Sequence, residues 1–310
     1  MRTNPEVFLR AIKPYREDIV VSAECMFSWY WLADLCAEEN IPFILGHALY
    51  MRAIHGGKSK NDKIDSKKIA ALLRGDLIPM AYVYPKEMRA TRDLMRRRNH
   101  FMRKRAELFA HTKNTASQYN LQVTLGKISR PKFREGILDH FKDPAVKLSI
   151  AANLEMIATY DKVLAGLEWE ILKSAKHHDP LSYALLKTVP GIGKIIALNL
   201  LYEIDDISRF PKVQNFASYC RLVKCAKESN GKKYGSSGKK IGNAHLRWAF
   251  SEAAQLFLRG NEAGQRYHQK LTNKHGKGKA LSILAHKIGR AVYFMLKNKQ
   301  AFNMDKFLPV

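Results

Sequence analysis

The sequence predicts an α/β region at the N-terminus, then a long helical arm, then a mainly helical C-terminal region. Three observations carry that prediction. Up to residue 85, short β-branched apolar runs alternate with amphipathic stretches, the pattern of a parallel sheet covered by helices. From 86 to 178 the apolar positions recur at helical spacing, interrupted by one irregular segment at 126–144. From 179 to 310 helical patterns continue around one glycine-rich polar stretch, 229–242.

Residues 5–15 read as a short helix with Val7, Phe8 and Ile12 on its apolar face. Asp18-Ile19-Val20-Val21-Ser22-Ala23 reads as a buried strand ending at Glu24. A helix over 27–38 follows, then a second strand in Ile41-Pro42-Phe43-Ile44-Leu45, where the proline fits only at the start. A helical stretch near Tyr50, another over 62–73 and a strand over 80–84 complete the region. From 85 to about 120 runs one very basic helix, with Leu94, Phe101 and Leu108 seven apart and Met95, Met102 and Phe109 beside them. A second helix over 146–175 carries Leu148, Ile150, Leu154, Ile157, Val163, Leu164, Leu167 and Ile171. The pair reads as an antiparallel arm or a dimerising coiled coil, with an ordinary helical subdomain as the plainer alternative. The expected domains are 1–85, 86–178 and 179–310.

The 310 residues include 53 Lys and Arg against 28 Asp and Glu, a net charge of +25. Such an excess repels itself until a polyanion offsets it, so DNA or RNA is the expected partner. Hydrophobic residues make up 46%, which excludes a disordered polycationic tail. No uncharged apolar run approaches the roughly 18 residues that span a bilayer, so no membrane partner is expected. The first residues lack the apolar stretch of a secretory signal. Cys25, Cys36, Cys220 and Cys225 have neither the number nor the spacing of a zinc ribbon or a disulfide framework. The expected location is the cytoplasm, in association with the nucleoid. Residues 89–113 hold nine Lys and Arg against Asp93 and Glu107, and 221–300 hold eighteen against Glu228, Glu252 and Glu262. Two nucleic-acid contacts, or one long one, are expected from them.

Three motifs carry chemistry. Val189-Pro190-Gly191-Ile192-Gly193-Lys194 has the form of a helix-hairpin-helix. Two glycines allow a tight turn, and amides opening the next helix can meet a DNA phosphate beside the Lys194 charge. The plainer reading is a Pro-Gly turn. Asp62 and Asp65 are i,i+3 at a helix start, and Glu24 ends a strand where open α/β sheets place ligands. Together they offer oxygen ligands for Mg2+; separately, acids in a first turn serve the helix dipole. In Tyr234-Gly235-Ser236-Ser237-Gly238-Lys239-Lys240, a serine among glycines and lysines is either a nucleophile toward phosphorus or part of a phosphate-contacting loop. His177, His178, His275 and His286 have no metal-ligand partners at useful spacing and read as surface or core residues.

The combination resembles a known family. Glu24 ahead of Trp29-Tyr30-Trp31, and Lys60-Asn61-Asp62-Lys63-Ile64-Asp65 ahead of Ala70-Ala71-Leu72-Leu73-Arg74-Gly75, resemble the RNase-H-like, RuvC-like half of the DEDD-type insertion-sequence transposases. The Val-Pro-Gly-Ile-Gly at 189–193, Ser237-Gly238, Gly242-Asn243 and Leu246-Arg247 match the C-terminal half of that family in order. The resemblance implies a serine-dependent recombinase guided by a structured bridge RNA. It implies Glu24, Asp62 and Asp65 as three members of a Mg2+-binding acidic tetrad, and Ser237, with Ser236 as rival, as the nucleophile linked transiently to DNA. It implies donor and target DNA as partners, and a homodimer or homotetramer formed through the arm, with the active site shared between protomers. Gly191, Gly193, Lys194, Lys239, Lys240 and Arg247 are the expected nucleic-acid contacts. The first tetrad Asp would lie on a strand well before Glu24, and only 23 residues precede Glu24, so the RuvC-like region reads as N-terminally truncated. The rival functions are a catalytically inactive relic that only binds nucleic acid, and a Holliday-junction-type nuclease.

Overall fold

The computed structural model describes residues 4–26, 28–54, 61–121, 128–237 and 241–308. The chain divides into two units, Met1–Arg89 and Ala90–Val310.

In the first unit, α1 (Pro5–Ile12) starts at Asn4, whose side chain accepts from the Glu6 and Val7 amides at 2.8 and 3.3 Å. Pro5 sits where no amide donor is needed. The helix passes into a 3-10 turn, Lys13–Asp18, where Pro14 cannot supply an interior amide. Strand β1 (Val21–Glu24) pairs parallel with β2 (Phe43–Gly46) in the register Val21↔Phe43, Ser22↔Ile44, Ala23↔Leu45, Glu24↔Gly46. The crossover is α2 (Trp29–Glu38).

Side-chain alternation divides the two faces of the sheet. Val21 and Phe43 pack with Ile12, Leu32 and Cys36, and Leu45 with Trp29 and Ala33, so α1 and α2 cover one face. Ile44 packs with Met51, Ile69 and Leu72, so α3 (Ala48–Ile54) and α4 (Asp62–Arg74) cover the other.

The strand expected over 80–84 is reduced to one antiparallel bridge, Gly46↔Met80. Beyond it, Tyr84 is buried against Trp29, Ala33 and Leu45. Its carbonyl accepts from Arg89 Nε at 2.7 Å, which removes it from any ladder. Arg89 also pairs with Asp34 at 2.6 Å and lies 4.6 Å from the centre of the Trp29 ring.

In the second unit, α5 (Lys86–Gln118, from residue 90 on) runs antiparallel to α6 (Pro144–His178). Arg98 pairs with Glu168 at 2.5 Å, Arg105 with Asp161, and Thr112 Oγ1 accepts from Asn153 Nδ2 at 3.4 Å. The partners step by seven along α5 while descending α6. Ile150, Ile157, Leu164 and Ile171 are buried at the same seven-residue step, the period of a coiled-coil seam. Arg134 reaches Asp161 at 2.7 Å, and Ile128, Ile137 and Phe141 close over Ala116 and Ile150 at the end of the pair.

The rest of this unit is α7 (Pro180–Lys187), α8 (Lys194–Ile204), α9 (Val213–Tyr219), β3 (Cys225–Ser229), β4 (Lys232–Ser237), α10 (Ala244–Phe257), α11 (Glu262–His275), α12 (Lys277–Asn298) and α13 (Met304–Phe307). Residues 196–204 of α8 are all buried, and Phe216, Phe250, Phe257 and Tyr293 form much of the surrounding core. The polar stretch over 229–242 is not simply a loop. It contains the turn and second strand of an antiparallel hairpin, β3–β4, closed by Asn230 and Gly231 at φ 49° and 70°. Both central residues with positive φ make a turn that matches strand twist, and Asn-Gly is the dipeptide that best accepts it.

Candidate functional site

Glu24 ends β1 opposite Gly46. The pleat places it on the same side as Ser22 and Ile44, the face covered by α3 and α4. Asp62 and Asp65 lie in the first turn of α4, where the cap is made by Asn61, accepting from the Ile64 amide at 2.8 Å. Neither aspartate is needed for capping. Asp62 is exposed, and Asp65 and Glu24 are half-buried. The three therefore share one side of the sheet, but among the described residues no group of three or more His, Cys, Asp or Glu is gathered closely enough to hold a metal ion. As a donor set they are all hard oxygen. Mg2+ commonly takes one or two carboxylates and completes its shell with water and substrate phosphates, so the chemistry fits even though the trio is not assembled.

The turn between α7 and α8 is anchored by buried Val189 and Ile192, while Pro190, Gly193 and Lys194 are exposed. Its two glycines differ in what they permit. Gly191 has φ +86°, and a Cβ there would lie 2.5 Å from the Phe257 amide nitrogen and 2.6 Å from the Ala253 carbonyl oxygen. Gly193 is the N-cap of α8, with no side-chain cap and nothing within 4 Å of a built Cβ. The first-turn amides of α8 are thus left for an anion, with the exposed ammonium group of Lys194 next to them.

Ser237 is the last residue of β4, and its backbone is opposite Cys225, as that of Ser236 is opposite Ala226. Gly238, Lys239 and Lys240 lie outside the described residues. The chain resumes at Ile241 and is clamped at once. Gly242 has φ +86°, its carbonyl accepts from Arg221 Nε at 2.9 Å, and a Cβ would meet the Tyr219 carbonyl at 2.5 Å. The Asn243 amide donates to that same Tyr219 carbonyl at 2.6 Å. The Asn243 side chain works in both directions. Its Oδ1 caps α10, accepting from His245 and Leu246 at 2.8 and 3.1 Å, and its Nδ2 donates to Glu203 Oε2 at 2.7 Å.

Glu203 is fully buried and also receives Arg92 at 3.1 Å and Arg96 at 2.6 Å. Burial pushes its carboxyl up, but the Arg96 hydrogen bond and the charges of Arg92 and Arg96 outweigh that and hold it below the usual range. Burial lowers His245 below the ordinary imidazole value, against an opposing pull from Glu203. Arg247, three residues into α10, is exposed. The Glu203 network was missed in the sequence. Its signal is two polar residues, Asn199 and Glu203, four apart in an otherwise apolar helix.

The two basic regions also differ. Of the nine cations in 89–113, Arg89, Arg92, Arg96, Arg98, Lys104 and Arg105 are in ion pairs with Asp34, Glu203, Glu168, Glu107 or Asp161. Much of that charge is therefore tied into ion pairs within the protein, while Arg97, Arg103 and Lys113 are exposed. Among the described residues, no helix is long and apolar enough to cross a membrane.

Residues 183–269 match the IS116/IS110/IS902 family of transposases. That segment includes the turn before α8, the β3–β4 hairpin, the clamped exit and α10. The chain is also 22% identical over 256 residues to the transposase for insertion sequence element IS1111A of Coxiella burnetii (strain RSA 493 / Nine Mile phase I), covering 79% of this chain and 68% of that protein. Both similarities are to insertion-sequence transposases, the first over residues 183–269 and the second over most of the chain at 22% identity.

Proposed function

We propose that the chain is a DNA transposase/recombinase that cuts and rejoins strands through Ser237, working on donor and target DNA with a structured RNA as guide. The observation that carries this is the position of Ser237. It ends a strand within the transposase-matched segment, and five residues later the chain is clamped by Gly242 and Asn243. A nucleophile works best when its backbone is positioned before substrate arrives, and a strand end is a backbone position of that kind.

In the proposed step Ser237 Oγ attacks phosphorus. The Oγ–P bond forms as the P–O bond to a deoxyribose breaks, and the hydroxyl proton ends on the departing sugar oxygen. Rejoining reverses this, with a sugar hydroxyl from the second strand displacing the serine. Lys194, Lys239, Lys240 and Arg247 offset the phosphate charge. The turn at 189–194, read as a helix-hairpin-helix, positions the duplex by its backbone. Mg2+, the proposed cofactor, would be held by Asp62, Asp65 and Glu24 of a RuvC-like domain and would supply further charge neutralisation on the phosphodiester.

The test is a covalent protein–DNA adduct trapped on a denaturing gel. Wild type and Ser236→Ala are expected to form it and Ser237→Ala to abolish it. An adduct that persists in Ser237→Ala moves the nucleophile elsewhere, and no adduct from wild type leaves nucleic-acid binding without catalysis.

The arm supports assembly into a homodimer or homotetramer. The face of α6 away from the isoleucine seam exposes Leu148, Met156, Val163 and Trp169, with Leu148 72% exposed. Exposed apolar side chains that recur along one helix face offer a second copy a surface to pack on. The full chain is expected to sediment as a dimer or larger at micromolar concentration, and Leu148→Gln/Met156→Gln/Val163→Gln to shift it toward monomer. A wild type that sediments as a monomer contradicts assembly through the arm.

A further inference from the structure

Between residues 263 and 304 there are nine Lys and Arg and no Asp or Glu. This is the opposite of the 89–113 region, whose arginines are largely consumed by internal carboxylates. Five of the nine cations are exposed within residues 266–279, three of them on one helix face. Arg266, Lys270 and Lys274 fall at i, i+4 and i+8 on α11, hence on one face, and all are exposed. The chain turns at Gly276 into α12, whose first turn adds two further exposed cations, Lys277 and Lys279. At 1.5 Å per residue the α11 part alone is about 12 Å long. The opposite side of α11, including Gly264, Tyr267, His268 and Leu271, is buried or half-buried. Glu262, at the N-terminal end of α11, pairs with Arg266 at 3.5 Å.

The residues between the cations indicate what the strip fits. Gln265, Gln269 and Asn273 are exposed on the same side, with Gln269 and Asn273 hydrogen-bonded at 2.8 Å. An amphipathic helix that lies on lipid needs exposed apolar side chains next to its cations. After the Glu262 carboxylate, the outward residues of α11 are amides and cations, the donors that contact phosphate and sugar oxygens.

We propose that the strip Arg266, Lys270, Lys274, Lys277 and Lys279 is a sequence-independent track for a nucleic-acid phosphate backbone, additional to the contacts at 190–194 and 237–247. Most of it lies beyond the transposase-matched segment, which ends at residue 269. The track does not depend on Ser237 chemistry, so its test stands apart from adduct formation.

The experiment is fluorescence anisotropy of the full chain with a labelled random-sequence duplex DNA and, separately, an RNA hairpin, over a series of salt concentrations. The strip variant is Lys270→Gln/Lys274→Gln/Lys277→Gln. Its control, with the same charge removed from exposed positions of the arm, is Arg97→Gln/Arg103→Gln/Lys113→Gln. The strip variant is expected to keep the wild-type melting temperature and to lose roughly 2–3 units of log–log salt slope, at about 0.9 per phosphate contact on duplex DNA. Loss on DNA alone, on RNA alone or on both names the backbone that occupies the track. An unchanged slope on both ligands, or an equal loss in the arm control, overturns the proposal. So does loss of binding to phosphatidylserine vesicles without any change on nucleic acid.

Discussion

Glu203→Ala is expected to cost about 3–5 kcal/mol of folding stability, the usual penalty for breaking a buried ion pair from one side. Glu203 is fully buried, and the Arg92 side chain is only 8% exposed, so its guanidinium would lose a charged partner that water cannot readily replace. Arg96 is 35% exposed and can turn to water, so Arg92 carries the larger share. Asn243 Nδ2 loses its acceptor as well. Glu203→Gln keeps the shape and one carbonyl acceptor and should lose less. The folded carboxyl lies below its unfolded value. Its contribution is therefore complete above the ordinary carboxylate pKa and disappears as pH falls through the folded one. Urea titrations of wild type and both variants near neutral and at acidic pH measure this. A Glu203→Ala penalty under about 1 kcal/mol, or the same penalty at both pH values, contradicts the ion-pair account.

Gly191→Ala should cost about 2–5 kcal/mol. Roughly 1–2 kcal/mol comes from placing a residue with a Cβ in the left-handed region. A further 1–3 kcal/mol comes from forcing backbone apart in a packed contact. The atoms in the way, Phe257 N and Ala253 O, belong to the last turn of α10 and cannot swing aside as a flexible side chain can. Gly193→Ala meets open space and should cost under about 1 kcal/mol, the ordinary price of alanine at an N-cap. Thermal melts of the two variants side by side decide it, and equal shifts would remove the distinction.

In the sequence the two glycines of Gly191-Ile192-Gly193 are indistinguishable. What separates them is α10, more than fifty residues further along the chain. This marks the boundary of what could be read directly. The long helices were legible because a seven-residue apolar period is a local property, and an expected helix over 85 to about 120 is found as Lys86–Gln118. The Glu203 network was not legible, because Arg92 and Asn243 lie 111 and 40 residues away from the carboxylate they share. The β3–β4 hairpin had a local signal in Asn230-Gly231, but its flanks, Lys232-Lys233 and Ser236-Ser237, lack the alternating apolar residues that usually accompany such a turn. Glu24, Asp62 and Asp65 could be chosen by residue type and position. That Glu24 lies on the side covered by α4 follows only from the strand register and the packing of Ile44.

The 33-residue helix α5 is about 50 Å long at 1.5 Å per residue. Near its start Arg92 and Arg96 grip Glu203, and further along Arg98 and Arg105 are riveted to α6. A rod held in this way acts as a lever. A load applied near Gln118 is shared with α6 through these ion pairs and the isoleucine seam. At the short end the same helix bears on a carboxylate that also holds Asn243, so one buried group joins the arm to the N-cap of α10.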